Sequence, residues 1–243
     1  MSDPTEGIIL VTGSNRGLGL EMVRQLAPSA RAVIATCRRP AEAEELNAIA
    51  NAHPETVQVE KLEVTDTDQI DRLGSVVEEQ YGALDLLLNN AGINGGGTAD
   101  TFDTVDMETL VQTFRVNAAA PHLLTRALAP MLRSGATDGS SAVVNITSQL
   151  GSIGNTKGRG TWQSYKASKA ALNMLSRLEA HELRSNGVVV VAMHPGWVQT
   201  DMGGSNAHLT PEASVAGILD VVRSLTPQDA GRFLTHDGGE LPW

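Results

Sequence analysis

Short apolar runs alternate with longer amphipathic ones along the whole chain, and that alternation leaves few folds open. The runs Ile8–Val11, Ala32–Thr36, Val57–Leu62, Leu84–Leu88, Ala142–Ile146, Val188–Ala192 and Arg232–Leu234 have the length of strands. Between them, the spacing of apolar residues predicts helices near 18–27, 40–51, 67–80, 106–133, 163–185 and 211–224. Strands alternating with helices build a parallel sheet through right-handed crossovers, with helices on both faces. Aromatics make up only 3% of the chain, so Ala, Val and Leu must fill the core, which suits such a sheet. The expected fold is α/β: a doubly wound, Rossmann-type, seven-stranded parallel sheet. No low-complexity linker, repeat or composition break divides residues 1–243, so a single domain is expected.

The bulk composition narrows the function. A net charge of −10 argues against nucleic acid and anionic membrane as partners, while leaving room for an anionic ligand held by local arginines. The lone cysteine, Cys37, excludes an internal disulfide framework and fits a reducing, cytoplasmic setting. The start, Met-Ser-Asp-Pro-Thr-Glu, does not read as a signal peptide, and no apolar run is long enough to span a bilayer. The six histidines are scattered without metal-ligand spacing, so no metal is expected.

In an open α/β sheet, ligands bind beyond the carboxyl ends of the strands. Three segments follow strands and break the rhythm: Gly92–Thr104, Ser148–Thr161 and His194–Asn206. A fourth, Thr12-Gly13-Ser14-Asn15-Arg16-Gly17-Leu18-Gly19, joins the first strand to the first helix. Its glycines let the backbone approach a pyrophosphate, and the helix N-terminus offers N–H donors and positive potential. The second strand ends at Thr36-Cys37-Arg38-Arg39, without the Asp or Glu that would bind a ribose 2′-hydroxyl. A guanidinium at Arg38, with Arg16 able to approach it, favours a 2′-phosphate, hence NADP(H) over NAD(H). A solvated pair of turn arginines is the plainer alternative.

Tyr165 and Lys169 stand four apart in the predicted helix 163–185. That spacing puts both on one face, about 6 Å apart at the backbone. A cation there favours the phenolate and is expected to lower the Tyr165 pKa from about 10. Such a phenol can protonate a carbonyl oxygen or deprotonate an alcohol. The spacing arises by chance in many helices and is weak alone.

Together these residues resemble the short-chain dehydrogenases/reductases, over nearly the whole chain. The match comprises the Thr12–Gly19 loop, Asn89-Asn90-Ala91-Gly92, Asn117, Ser148, Tyr165-x-x-x-Lys169 and His194-Pro195-Gly196-Trp197-Val198-Gln199-Thr200, in family order. Within the family the likeness is strongest to the C-factor and sniffer-type carbonyl reductases. It rests on Asn15–Gly19, Ala35-Thr36-Cys37-Arg38, the run Trp162–Lys169 and the ending Asp237-Gly238-Gly239-Glu240-Leu241-Pro242-Trp243.

The resemblance implies an oxidoreductase moving hydride between NADP(H) and a small carbonyl or alcohol substrate. Tyr165 matches the general acid/base. Lys169 matches the residue on the nicotinamide ribose, Ser148 the group holding the substrate oxygen, and Asn117 the anchor of a water-linked proton route. Gly13, Asn15, Arg16, Gly17, Leu18 and Gly19 would hold the pyrophosphate end and Arg38 the 2′-phosphate. Glu63 and Val64 would lie near the adenine; the family usually has Asp at Glu63. Asn90, Ala91 and Gly92 would line the cofactor, and Pro195, Gly196, Val198 and Thr200 would close over the carboxamide. The stretch from Ser148 to Tyr165 is longer than usual, and its insert Asn155–Gly160 is expected to shape the substrate mouth. Trp162, Trp197, Leu150 and Ile153 suggest an apolar pocket wall or, for the tryptophans, plain packing. The family is mostly dimeric or tetrameric through helices 106–133 and 163–185, with some monomeric carbonyl reductases. A cofactor-binding signalling or scaffold protein, or an epimerase or dehydratase that retains its nucleotide, are the other readings.

Overall fold

The computed structural model describes residues 3–136, 141–158 and 160–243. Seven strands form one parallel sheet: β1 (Ile8–Thr12), β2 (Ala32–Cys37), β3 (Val57–Lys61), β4 (Leu86–Asn89), β5 (Ala142–Ile146), β6 (Val189–His194) and β7 (Phe233–Thr235). Their order is β3-β2-β1-β4-β5-β6-β7. The order reverses between β1 and β4, which opens a crevice at their carboxyl ends.

The helices are α1 (Gly17–Leu26), α2 (Glu44–Ala52), α3 (Thr67–Tyr81), α4 (Met107–Phe114), α5 (Ala120–Gly135), α6 (Gln163–Leu183) and α7 (Pro211–Ser224). β1, β2, β4 and β5 are buried along their whole length, hence their unbroken apolar runs. Two apolar layers result. In one, Val11, Val33, Leu88, Val144 and Met193 meet residues of α1 and α7, such as Met22 and Ile218. In the other, Leu10, Ile34, Leu87, Val143 and Val190 meet residues of α3, α5 and α6, such as Leu73, Leu128 and Leu183.

The expected fold is therefore the observed one, with small shifts of strand and helix ends and three differences of note. β4 begins at Leu86 rather than Leu84, because the Leu84 amide is already bound to the Met131 carbonyl at 2.9 Å. Pro40–Glu42 forms a separate 3₁₀ turn before α2. The long helix over 106–133 is interrupted: Arg115–Ala119 is a π-helical turn between α4 and α5, and Asn117 lies at its middle. Single π turns of this kind are a frequent mark of functional sites.

Candidate active site

The glycine loop is built for close approach. Gly13 has a φ of 70°, and a Cβ there would stand 3.0 Å from the Ala91 backbone. A Cβ on Gly19 would collide with the Gly13 carbonyl and the Asn90 amide. Both positions thus need glycine on steric grounds. Asn90 fastens the loop, donating from Nδ2 to the Thr12 carbonyl at 2.8 Å and the Gly13 carbonyl at 3.2 Å. Thr12, absent from the expected site residues, has a matching part. Its Oγ1 accepts from the amides of Asn90 and Ala91, both at 3.0 Å. A hydroxyl at the end of the first strand, opposite an Asn-Asn pair, was the available signal.

The two arginines part company. Arg16 donates to Asp201 at 2.8 Å, and both side chains are exposed. It therefore links the glycine loop to the segment after β6 instead of turning toward Arg38. Thr200 abuts the same loop, its methyl being 3.5 Å from where a Gly17 Cβ would stand. Arg38 is exposed and makes no ion pair among the described residues, whereas Arg39 pairs with Glu42 at 3.1 Å. Glu63 turns inward: its Oε1 accepts from the Thr65 hydroxyl at 3.0 Å and the Thr65 amide at 3.3 Å. Val64 is half-buried and walls a small pocket with Thr12, Asn89, Ala91 and Val116.

Four polar side chains converge beyond β4 and β5. Asn117 is 1% exposed. It does not make the local bond usual for a helix-interior Asn. Its Oδ1 accepts from the Ile93 amide and its Nδ2 donates to the Ile93 carbonyl, both at 2.8 Å, tying the helix break to the loop after Gly92. Nδ2 also donates to Ser168 Oγ at 3.0 Å, and Ser168 donates to the Tyr165 carbonyl at 2.7 Å. The pair Thr147 and Ser148 is resolved by its partners. Thr147 bonds inward to Asn173 Oδ1 at 2.7 Å, while Ser148, whose Oγ accepts from the Leu150 amide at 3.1 Å, lies near enough to the Tyr165 phenol to exert a lowering pull on its pKa.

Lys169 donates to the Ile146 carbonyl at 2.8 Å, and its Nζ lies 5.7 Å from the centre of the Tyr165 ring. The expected lowering of the Tyr165 pKa does not occur. Burial of the phenol pushes it up to about 12, with the nearby Ser148 pulling the other way. Burial likewise lowers Lys169 to about 8. Spacing predicts the proximity of the pair; desolvation, which disfavours both ions, sets the direction of both shifts.

The segment after β6 adjoins the glycine loop through Asp201 and Thr200. Gly196 has a φ of 85°, and Ser214 donates to the Pro195 carbonyl at 2.6 Å. Val198 is buried and bridges to Leu209, while Thr200 Oγ1 accepts from the Gly203 amide at 3.2 Å. His194, at the end of β6, is pushed down to about 4, chiefly by burial and then by the nearby His236. Trp197 is half exposed with its ring N–H bound to the Gly203 carbonyl, and Trp162 stands edge-on to Tyr165 with centroids 5.9 Å apart. Leu150 and Ile153 are exposed as well, and Arg159 of the predicted insert lies outside the described residues.

The profile described as short chain dehydrogenase matches residues 7–209. The chain belongs to the short-chain dehydrogenase family. Its relatives agree with the carbonyl-reductase resemblance. It is 43% identical to the C-signal of Myxococcus xanthus over 162 residues, covering 67% of this chain and 94% of that one. A carbonyl reductase from chicken fatty liver, solved with NADPH bound, shares 39% identity at a TM-score of 0.90, covering 97% of this chain and 98% of the other. The carbonyl reductase Sniffer of D. melanogaster shares 32% at a TM-score of 0.91, covering 98% and 99%. Among the described residues no helix is long and apolar enough to cross a membrane, and no group of three or more His, Cys, Asp or Glu side chains is gathered to hold a metal.

Proposed function

We propose that this protein is a cytoplasmic NADP(H)-dependent carbonyl reductase. One observation carries the reading: a buried phenol with Ser148 beside it and the buried Lys169 Nζ 5.7 Å from its ring centre, next to a glycine-lined crevice. The crevice fits a dinucleotide. Gly13 and Gly19 would admit a pyrophosphate against the backbone, with Asn15, Arg16, Gly17 and Leu18 around it, and the exposed Arg38, unpaired among the described residues, would offer its guanidinium to a 2′-phosphate. Val64 and Glu63 would border the adenine, the latter through whatever its bonds to Thr65 leave free. Asn90, Ala91 and Gly92 would line the middle. Pro195, Gly196, Val198 and Thr200 would cover the nicotinamide end. Bound there, the cofactor supplies the hydride.

The chain's own residues handle the proton. Ser148 holds the substrate oxygen and Tyr165 delivers a proton to it as negative charge develops. A phenol raised to about 12 is fully protonated near neutral pH and so begins as the acid. Lys169 holds the ribose hydroxyls and offsets the charge left on Tyr165. Asn117, fixed by Ile93 and Ser168, steadies the route from Lys169 toward solvent. Proton transfer of this kind contributes about 10²–10⁴-fold.

Exposed Leu150, Ile153, Trp197 and Met202 near the mouth favour an apolar ketone, aldehyde or quinone. Met107, Val111 and Phe114 on α4 and Met174 and Leu178 on α6 are also exposed, supporting a homodimer or homotetramer through these helices. The likeness to the C-signal favours a second reading, a cofactor-binding signalling protein with little turnover. NADPH oxidation across a panel of quinones, aldehydes and diketones separates the two. Steady turnover supports the reductase; tight NADPH binding with silence across the panel refutes it.

A further inference from the structure

Helix α6, which carries Tyr165 and Lys169, begins without a cap of its own. Its N-cap residue is Trp162, which makes no capping hydrogen bond and has a φ of 63°. That backbone is unusual for a bulky residue and persists only where surroundings enforce it. The enforcing contacts come from the segment after β4. The Trp162 amide donates to the Gly97 carbonyl at 3.2 Å, and the Gln163 amide to the Asp100 carbonyl at 3.4 Å. The Asp100 carboxylate goes further. Its Oδ2 accepts from the Ser164 amide at 2.7 Å and also from the Ser164 hydroxyl. Asp100 is 3% exposed and Ser164 1%. Gly95 packs so closely on Ser164 that a Cβ there would strike its hydroxyl.

We infer that Asp100 is a positioning residue: it caps α6 from a distant loop and thereby fixes where Tyr165 points. The inference rests on Tyr165 being the acid. A carboxylate at a helix N-terminus satisfies an otherwise unpaired amide and complements the positive end of the helix. Here the amide it holds belongs to Ser164, the residue immediately before Tyr165. The same loop reaches the catalytic cluster at its other end, where Asn117 accepts from the Ile93 amide and donates to the Ile93 carbonyl. Residues 93–100 therefore span from Asn117 to the start of α6. Asp100 buries this second anchorage, and its Oδ1 has no partner among the described residues.

The test is steady-state kinetics with NADPH and the fastest substrate of the carbonyl panel, on protein whose cofactor-binding sites have been counted. A shift of about 1 Å in a reacting group can lower the rate about 10²-fold. Asp100→Ala is expected to lower kcat by about 10–100-fold while the NADPH Kd stays within about 2-fold. Asp100→Asn, which retains an acceptor for the Ser164 amide, is expected to recover most of that loss. In a Tyr165→Phe background, Asp100→Ala should add no further loss, since both act through one group. If Asp100→Ala does not fold, Ser164→Ala, which keeps the amide contact and removes the hydroxyl one, reads that half of the anchorage, with a smaller fall in kcat alone. An unchanged kcat, an equal loss in NADPH affinity, no recovery with Asn, or additivity with Tyr165→Phe would each overturn the inference. Wild-type turnover by Tyr165→Phe alone would instead overturn the role of Tyr165.

Discussion

Replacing Lys169 by Met should stabilise the protein near neutral pH while abolishing turnover, and the gain should vanish as pH rises. Lys169 is 4% exposed and its pKa is lowered by burial from 10.5 to about 8. The unfolded chain therefore keeps this proton up to about 10.5, while the folded protein releases it near 8. Between those values the unfolded state binds more protons, so raising pH stabilises the fold. Linkage gives a penalty for the buried charge of about 3 kcal/mol near pH 7, about 2 near pH 9, and under about 0.5 by pH 10.5. Met removes that penalty but leaves the Ile146 carbonyl, bound at 2.8 Å, without its donor. A lost hydrogen bond costs about 1 kcal/mol, independent of pH in this range. The variant should thus be more stable by about 2 kcal/mol near pH 7, with the advantage gone by about pH 10. Tyr165, raised from 10.0 to about 12, affects the comparison only above pH 10. Urea unfolding of both proteins at pH steps from 7 to 10 reads the difference directly. A stability difference that does not change with pH would refute the buried-charge reasoning.

The same group should appear in catalysis: carbonyl reduction should decline through about pH 8 as Lys169 loses its proton, and a rate–pH profile flat to pH 10 would contradict its role. Arg38→Ala should raise KM for NADPH by about 10-fold or more with little effect on NADH, since one charge-assisted phosphate contact contributes about 1.5–3 kcal/mol. Equal efficiency of the two cofactors in the unmodified protein would remove the basis for that expectation. His194, held neutral by burial with its pKa lowered from 6.5 to about 4, must charge when the protein unfolds in acid. Stability should therefore fall as pH drops from 6.5 toward 4, and His194→Gln should flatten that limb of a thermal-melting series.

Much of this molecule is legible in its sequence, and the exceptions have physical reasons. The strands are readable because β1, β2, β4 and β5 are buried on both faces and leave unbroken apolar runs. The post-strand loops are readable because glycine is required where Gly13 and Gly19 meet backbone and side chains from β4's end. The π turn at Arg115–Ala119 is not, since the bond that stabilises it joins Asn117 to Ile93, 24 residues earlier. The titration of the Tyr165–Lys169 pair is not, because spacing reports distance and says nothing of desolvation. The cap at Asp100 lies 64 residues before Ser164. Its trace in sequence was negative: helix α6 opens on Trp162, where a Ser, Thr, Asp or Asn would serve.

The proton-donor role of Tyr165 is tested most directly by Tyr165→Phe, assayed for NADPH oxidation with the best carbonyl substrate and for NADPH binding in parallel. Removing the hydroxyl leaves the ring in its packing against Trp162 and leaves the glycine cradle untouched. We expect kcat to fall by about 10²–10⁴-fold with the NADPH Kd nearly unchanged. A variant that keeps most of its turnover would show that the proton comes from elsewhere.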